Sequence, residues 1–144
     1  MKSDILFYIT LIVFVGGLIL TNSCSDDLEI KNDYDFKITY LPVPKRLKMG
    51  ETAEIRFEIQ RSGNYAGAKY FVRYFQTDGQ GVLTLDSRRL LPNDGYELKK
   101  DEFRMYYTSD CEEQQVIDLT FYDSFRKQVS VKFTFSNDAK QENE

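Results

Sequence analysis

The stretch Glu54-Ile55-Arg56-Phe57-Glu58-Ile59-Gln60 alternates apolar with charged or polar side chains without interruption. Successive side chains of a β-strand point to opposite faces, so this stretch predicts a strand with one buried and one solvated face. The three apolar side chains are expected to face a core. The charged side chains are expected to share the solvent face, where they either pair with charges on neighbouring strands or dock a partner.

The same alternation recurs on both sides of this stretch. It predicts six further strands, at Phe36–Tyr40, Tyr70–Phe75, Val82–Leu85, Phe103–Tyr107, Ile117–Phe121 and Val129–Phe135. The run that starts at Tyr70 is apolar on nearly both faces, which favours a central position in its sheet. Aromatic residues make up 15% of the chain and fall mostly in these runs, so they are expected to fill the core. About seven short antiparallel strands predict an all-β, immunoglobulin-like β-sandwich.

Two turn-like segments resemble ligand-binding loops only superficially. Asp78-Gly79-Gln80-Gly81 is rich in glycine but lacks the lysine and the strand-to-helix context of a phosphate-binding loop, so it is predicted to be a hairpin turn. Pro92-Asn93-Asp94-Gly95 supplies far fewer oxygen ligands than Ca²⁺ requires and is also predicted to be a turn. No metal site is predicted.

The composition argues against catalysis and against nucleic-acid binding. The chain contains no histidine, which removes the commonest general base and the commonest zinc ligand. The prediction is a protein that is not an enzyme and has no cofactor. The net charge is −4, and the adjacent cations Arg88 and Arg89 are too few for a DNA-binding patch, so no direct nucleic-acid binding is expected.

The first residues have the pattern of an export signal. Lys2 precedes an unbroken apolar run at Ile5–Leu20, which is short for a membrane span, and Cys24 follows shortly after it. This predicts a lipoprotein-type signal peptide at residues 1–23 with lipidation of Cys24, the alternative being an uncleaved anchor. The protein is then an outer-membrane lipoprotein of the cell envelope, with its domain facing the periplasm or the cell surface.

Composition also divides the remaining chain. Residues 24–33 are mostly polar and are predicted to be a linker, residues 34–136 the sandwich domain, and residues 137–144 a disordered tail. The second cysteine, Cys111, is predicted to be an unpaired thiol in a loop. A Cys24–Cys111 disulfide is the alternative, and it excludes lipidation of Cys24.

Several short motifs carry a resemblance to a known family. They are Leu41-Pro42-Val43-Pro44-Lys45, Arg73-Tyr74-Phe75-Gln76, Leu91-Pro92-Asn93-Asp94 and Tyr106-Tyr107-Thr108-Ser109. In this order they resemble the TraQ family of conjugative-transposon proteins from Bacteroides-type bacteria. The resemblance implies an exported immunoglobulin-like sandwich that serves conjugative DNA transfer, without catalytic residues or cofactor.

The sequence therefore favours a non-catalytic, membrane-anchored accessory component of a conjugation apparatus that acts by protein–protein interaction. The expected partners are other proteins of that apparatus. The alternative is a cell-surface lipoprotein that binds a glycan or a host ligand. The family motifs nominate a partner-binding surface at Arg73, Tyr74, Gln76, Leu91, Pro92, Asn93 and Asp94. The alternative role of Tyr74 and Leu91 is packing in the core. The alternative role of Asn93 and Asp94 is to shape a turn.

Overall fold

The structure is a computed structural model that describes residues 33–137. The predicted signal peptide at 1–23, the lipidation site Cys24, the linker before Asp33 and the tail beyond Asn137 lie outside the described residues. Within residues 33–137 every regular element is a β-strand, and no helix there could cross a membrane.

Nine strands form the domain. They are β1 (Phe36–Tyr40), β2 (Thr52–Arg61), β3 (Tyr70–Asp78), β4 (Gly81–Leu85), β5 (Arg88–Arg89), β6 (Tyr96–Leu98), β7 (Glu102–Ser109), β8 (Gln115–Asp123) and β9 (Gln128–Phe135). All seven predicted strands are present. The two additional strands, β5 and β6, have only two and three residues, too few to show a period in the sequence.

The strands form two antiparallel sheets. Sheet I has the order β1-β2-β7-β4-β5, and sheet II has the order β6-β3-β8-β9. Strands β1, β2, β7 and β4 of sheet I thus face strands β3, β8 and β9 of sheet II. This is the strand arrangement of an immunoglobulin-like sandwich. The predicted fold class is confirmed, and β3 lies inside sheet II as its two apolar faces predicted.

After β1 the chain leaves sheet I and reaches the end of sheet II. Leu47 donates its backbone N–H to the carbonyl of Ser136 at 3.0 Å, and Ser136 donates its own to the carbonyl of Lys45 at 2.8 Å. These bonds form a parallel bridge between Arg46 and Ser136. The segment at residues 45–47 therefore ties the first part of the domain to the end of β9.

Aromatic rings fill the space between the sheets. Phe57 stacks on Phe103 with ring centroids 5.3 Å apart, and it also contacts Phe121 at 5.3 Å and Phe133 at 5.9 Å. All four side chains are buried. The aromatic core predicted from the alternating runs is confirmed.

The turn at Asp78–Gly81 corrects one prediction. It is not a hairpin, because β3 pairs with β6 and β8 in sheet II whereas β4 pairs with β5 and β7 in sheet I. Gly79 has φ +69°, and a Cβ there would lie 2.6 Å from the carbonyl oxygen of Gln114. Glycine is required because the chain passes so close to its neighbour while it crosses between the sheets.

Candidate protein-interaction surface

The outer side of sheet II carries a group of aromatic side chains around one arginine. Alternation along β3 sends Tyr70, Val72 and Tyr74 into the core, and it places Phe71, Arg73 and Phe75 outside. Tyr122 of β8 lies opposite Phe71 in the strand register. We call Phe71, Arg73, Phe75 and Tyr122 the aromatic face. Phe75 is 51% exposed, which is unusual for a phenylalanine in the middle of a strand.

The aromatic face has a defined geometry. The rings of Phe71 and Tyr122 stack with centroids 5.3 Å apart and an interplanar angle of 16°. The guanidinium carbon of Arg73 lies 6.0 Å from the centroid of Tyr122, at the outer range of a cation–π contact. A Cβ added at Gly95 would lie 2.3 Å from the hydroxyl oxygen of Tyr122. Glycine at this position therefore lets the tyrosine extend across β3 towards the edge of the sheet.

Charge on the aromatic face is concentrated at Arg73. The neighbouring charges are paired: Lys132 contacts Asp118 at 3.5 Å, and Lys69 contacts Glu97 at 3.3 Å. Among residues 33–137 no carboxylate pairs with Arg73. An exposed guanidinium among aromatic rings is therefore available to a negatively charged group on another molecule.

The loop at residues 91–94 lies against the edge of β3. Asn93 donates its backbone N–H to the carbonyl of Tyr74 at 2.8 Å, and Leu91 donates its own to the hydroxyl of Tyr96 at 2.7 Å. Asn93 has φ +68°, a conformation that asparagine tolerates better than most residues. Leu91 is 54% exposed. The structure thus brings the loop next to the strand that carries Arg73.

The residues predicted to bind a partner fall into two groups. Arg73 and the loop residues Leu91, Pro92, Asn93 and Asp94 are exposed. Tyr74 is buried in the core, where burial raises its pKa, and Gln76 is half-buried and hydrogen-bonded to Tyr107 at 3.0 Å. These last two side chains support the sandwich beneath the surface.

Sequence reasoning missed three members of the aromatic face. Phe71 and Phe75 lie in a predicted strand and Tyr122 directly follows one, but none of the three was nominated as a binding residue. For the two phenylalanines the available signal was the second apolar row of β3, which was interpreted only as a sign of a central position in the sheet. Because β3 is central and yet solvated on its outer side, that row forms a surface.

Known proteins are similar to this chain in sequence and in fold. Residues 6–138 match the TraQ conjugal transfer protein family. The chain belongs to the TraQ family. The family resemblance inferred from the motifs is therefore confirmed. A comparison with curated proteins finds no match.

Three solved structures are similar to this TraQ family chain. A conjugative transposon lipoprotein from Bacteroides eggerthii is 37% identical with a TM-score of 0.68, covering 73% of this chain and 100% of that one. A lipoprotein from Bacteroides thetaiotaomicron is 48% identical with a TM-score of 0.69, covering 83% and 92%. A conjugate transposon protein from Bacteroides vulgatus is 39% identical with a TM-score of 0.67, covering 83% and 96%.

Cys111 is the remaining candidate group of this TraQ family member, and it has a contact within the domain. Cys111 lies in the loop between β7 and β8, as predicted, and its sulfur accepts the backbone N–H of Gln80 at 3.2 Å. Residues 33–137 contain no group of three histidine, cysteine or acidic side chains placed to hold a metal ion. The exposed residues around Arg73 are the group best suited to binding.

Proposed function

We propose that this chain is a non-catalytic, lipid-anchored accessory protein of a conjugative DNA-transfer apparatus. It acts by binding another protein of that apparatus. The observation that carries the proposal is the match to the TraQ conjugal transfer family over residues 6–138. The relatives from Bacteroides eggerthii and Bacteroides thetaiotaomicron are described as lipoproteins, which supports a place in the cell envelope.

The aromatic face is the proposed contact with the partner. Aromatic and arginine side chains are enriched at protein interfaces and at the residues that contribute most binding energy. Phe75 and Leu91 supply exposed apolar area, and Arg73 supplies an unpaired charge beside it. The complementary surface on the partner is an apolar patch that carries a carboxylate.

Cys24 is the proposed point of attachment to the outer membrane. It follows the apolar run at Ile5–Leu20 with only Thr21, Asn22 and Ser23 between them, and its acylation after cleavage would make it the new N-terminus. The sandwich domain then faces the periplasm or the cell surface.

Conjugal transfer frequency tests the proposal directly. A donor that lacks this gene is complemented with the wild-type gene, with Cys24→Ala, or with the double variant Arg73→Glu/Phe75→Ser. A matched control replaces the exposed loop residue Lys99 by Ala. Immunoblots of the envelope fraction verify that each protein accumulates.

We expect deletion to lower transfer at least tenfold, and wild type and the Lys99 variant to restore it. Cys24→Ala and the aromatic-face variant are expected to leave transfer low. Full restoration by Cys24→Ala would remove the anchor from the proposal, and full restoration by the face variant would remove the aromatic face. An unchanged frequency after deletion would overturn the transfer role and favour binding of a glycan or host ligand.

A further inference from the structure

Two pairs of like charges lie side by side on the outer face of sheet I. In the register of β2 and β7, Arg56 is opposite Arg104, and Glu58 is opposite Glu102. All four side chains are exposed. Directly opposed residues of antiparallel strands have their Cβ atoms about 5 Å apart, and like charges there are destabilising. The chain therefore carries two repulsive cross-strand pairs next to each other. We call Arg56 and Arg104 the arginine level, and Glu58 and Glu102 the glutamate level.

Contacts within the chain relieve this repulsion only in part. A single oxygen of Glu54 contacts the Nε of Arg56 at 2.9 Å and the Nη1 of Arg104 at 3.2 Å. The hydrogen bond from Arg56 lowers the pKa of Glu54. One carboxylate thus serves two guanidinium groups, and the arginine level keeps an excess of positive charge.

The glutamate level has no cation in direct contact, and the nearest candidate, Lys100, only lines the same groove. Glu58 accepts hydrogen bonds from the neutral side chains of Thr39 and Gln60, each at 3.5 Å. Neither Glu58 nor Glu102 forms an ion pair within residues 33–137. A positive level and a negative level therefore lie two residues apart along the strands, a separation of about 7 Å.

We propose that this face binds a second copy of the same chain. A two-fold axis that lies in the interface and crosses β2 and β7 above Phe57 and Phe103 exchanges the two levels. It places Arg56 over Glu58 of the second copy and Arg104 over Glu102 of the second copy. Two-fold interfaces must be self-complementary, and this charge pattern has that property. Each of the four charges gains an opposite partner.

The shape of the face supports this occupant. The four charged residues line a groove of about 850 Å³ together with Leu41, Lys100 and Asp101. Leu41 is 56% exposed and donates its backbone N–H to the carbonyl of Arg56 at 3.2 Å, so apolar area adjoins the arginine level. Arginine side chains are long enough to enter the groove of the second copy, and their planar forks match carboxylates. The inference is independent of the transfer role, because it depends only on the register of β2 and β7.

Charge reversal in full-length protein tests the pairing. Two copies with different affinity tags are expressed together, extracted in mild detergent and purified through one tag, and the other tag is quantified. The variants are Arg56→Glu/Arg104→Glu and Glu58→Arg/Glu102→Arg, tested alone and against each other. The control Asp118→Lys/Lys132→Asp reverses an ion pair on sheet II. Thermal unfolding verifies that every variant folds.

We expect the two tagged copies to co-purify for wild type and for the control. For each reversed variant alone, the amount of the second tag recovered should fall at least tenfold. The two reversed variants mixed together recover the association, because each positive level again meets a negative one. Raising NaCl from about 50 mM to about 500 mM should weaken the wild-type pair. Wild-type copies that fail to co-purify, or reversed variants that stay apart when mixed, would overturn the proposal.

Discussion

Gln76 and Tyr107 form a hydrogen bond that joins the two sheets. The side-chain amide of Gln76 on β3 donates to the hydroxyl oxygen of Tyr107 on β7 at 3.0 Å. Tyr107 is fully buried and stacks on Phe135 with centroids 5.2 Å apart. The bond therefore gives one polar atom of the core a partner on the opposite layer, where an unpaired hydroxyl would be costly.

Removing the hydroxyl of Tyr107 should destabilise the domain. Tyr107→Phe leaves the amide of Gln76 half-buried without this partner, so we expect the free energy of unfolding to fall by about 1–2 kcal/mol. Urea denaturation followed by circular dichroism measures the change. Tyr106→Phe, on the exposed side of the same strand, is the control and should be neutral. Equal stabilities for both variants would contradict a stabilising role for the bond.

Loss of a phenylalanine should reduce the stability of the domain much more in the core than on the outer side of sheet II. Phe57 contacts three other core rings, so Phe57→Ala should cost about 3–5 kcal/mol. Phe75 is mostly solvated, so Phe75→Ala should change the stability by less than about 0.5 kcal/mol. Guanidinium chloride denaturation compares them. A large loss for Phe75→Ala would show that its ring supports the fold and is not free for binding.

The domain should lose stability in alkaline solution. Burial raises the pKa of Tyr70, Tyr74 and Tyr107 above the ordinary value of 10.0. The unfolded chain therefore releases these protons first. The stabilisation is complete below pH 10 and is lost as the pH rises through the folded-state pKa values.

Urea midpoints measured at intervals from about pH 8 to about pH 11 report this loss. Tyr74→Phe removes one of the three ionising groups, so its midpoint should fall less steeply above pH 10 than that of wild type. Parallel curves for the two proteins would exclude a contribution from Tyr74.

The turn between β8 and β9 depends on one buried carboxylate. Asp123 is buried, and its Oδ1 accepts the backbone N–H groups of Phe125 at 2.9 Å and Lys127 at 2.8 Å. Asp123→Ala leaves both donors without this acceptor and should cost about 1–3 kcal/mol in unfolding free energy. Asp123→Asn keeps a neutral acceptor oxygen and should cost less. The order of the two midpoints in urea checks the prediction, and a reversed order would contradict it.

The long strands were predictable because their residues alternate over five or more positions. Ile55, Phe57 and Ile59 all enter the core as expected. The partners of each strand were not predictable in the same way, since pairing is decided by contacts between distant parts of the chain. Asp78–Gly81 shows the difference: its composition suits a hairpin, but β3 and β4 belong to different sheets.

The candidate surface was predictable only around the family motifs. Arg73 and the loop at residues 91–94 were nominated, and the backbone bond from Asn93 to Tyr74 places them side by side. Phe75 was not nominated, because an apolar residue in a strand is expected to be buried, and Tyr122 lay just beyond the predicted strand Ile117–Phe121. Whether such a residue faces a second layer or the solvent depends on how the two sheets pack, which local alternation does not contain.

The bridge between Arg46 and Ser136 has a consequence for the order of folding. Residues 45–47 find their hydrogen-bond partner about ninety positions later, at the end of the last strand, where Ser136 donates its hydroxyl to the carbonyl of Lys45. Contacts between such distant residues form slowly, because closing so long a loop costs chain entropy before the contact is gained. While the ribosome still holds the last strand, the sandwich cannot close. A chain whose last strand is not yet synthesised lacks both this bridge and an edge strand of sheet II, so we expect it to complete its fold only when synthesis is nearly finished.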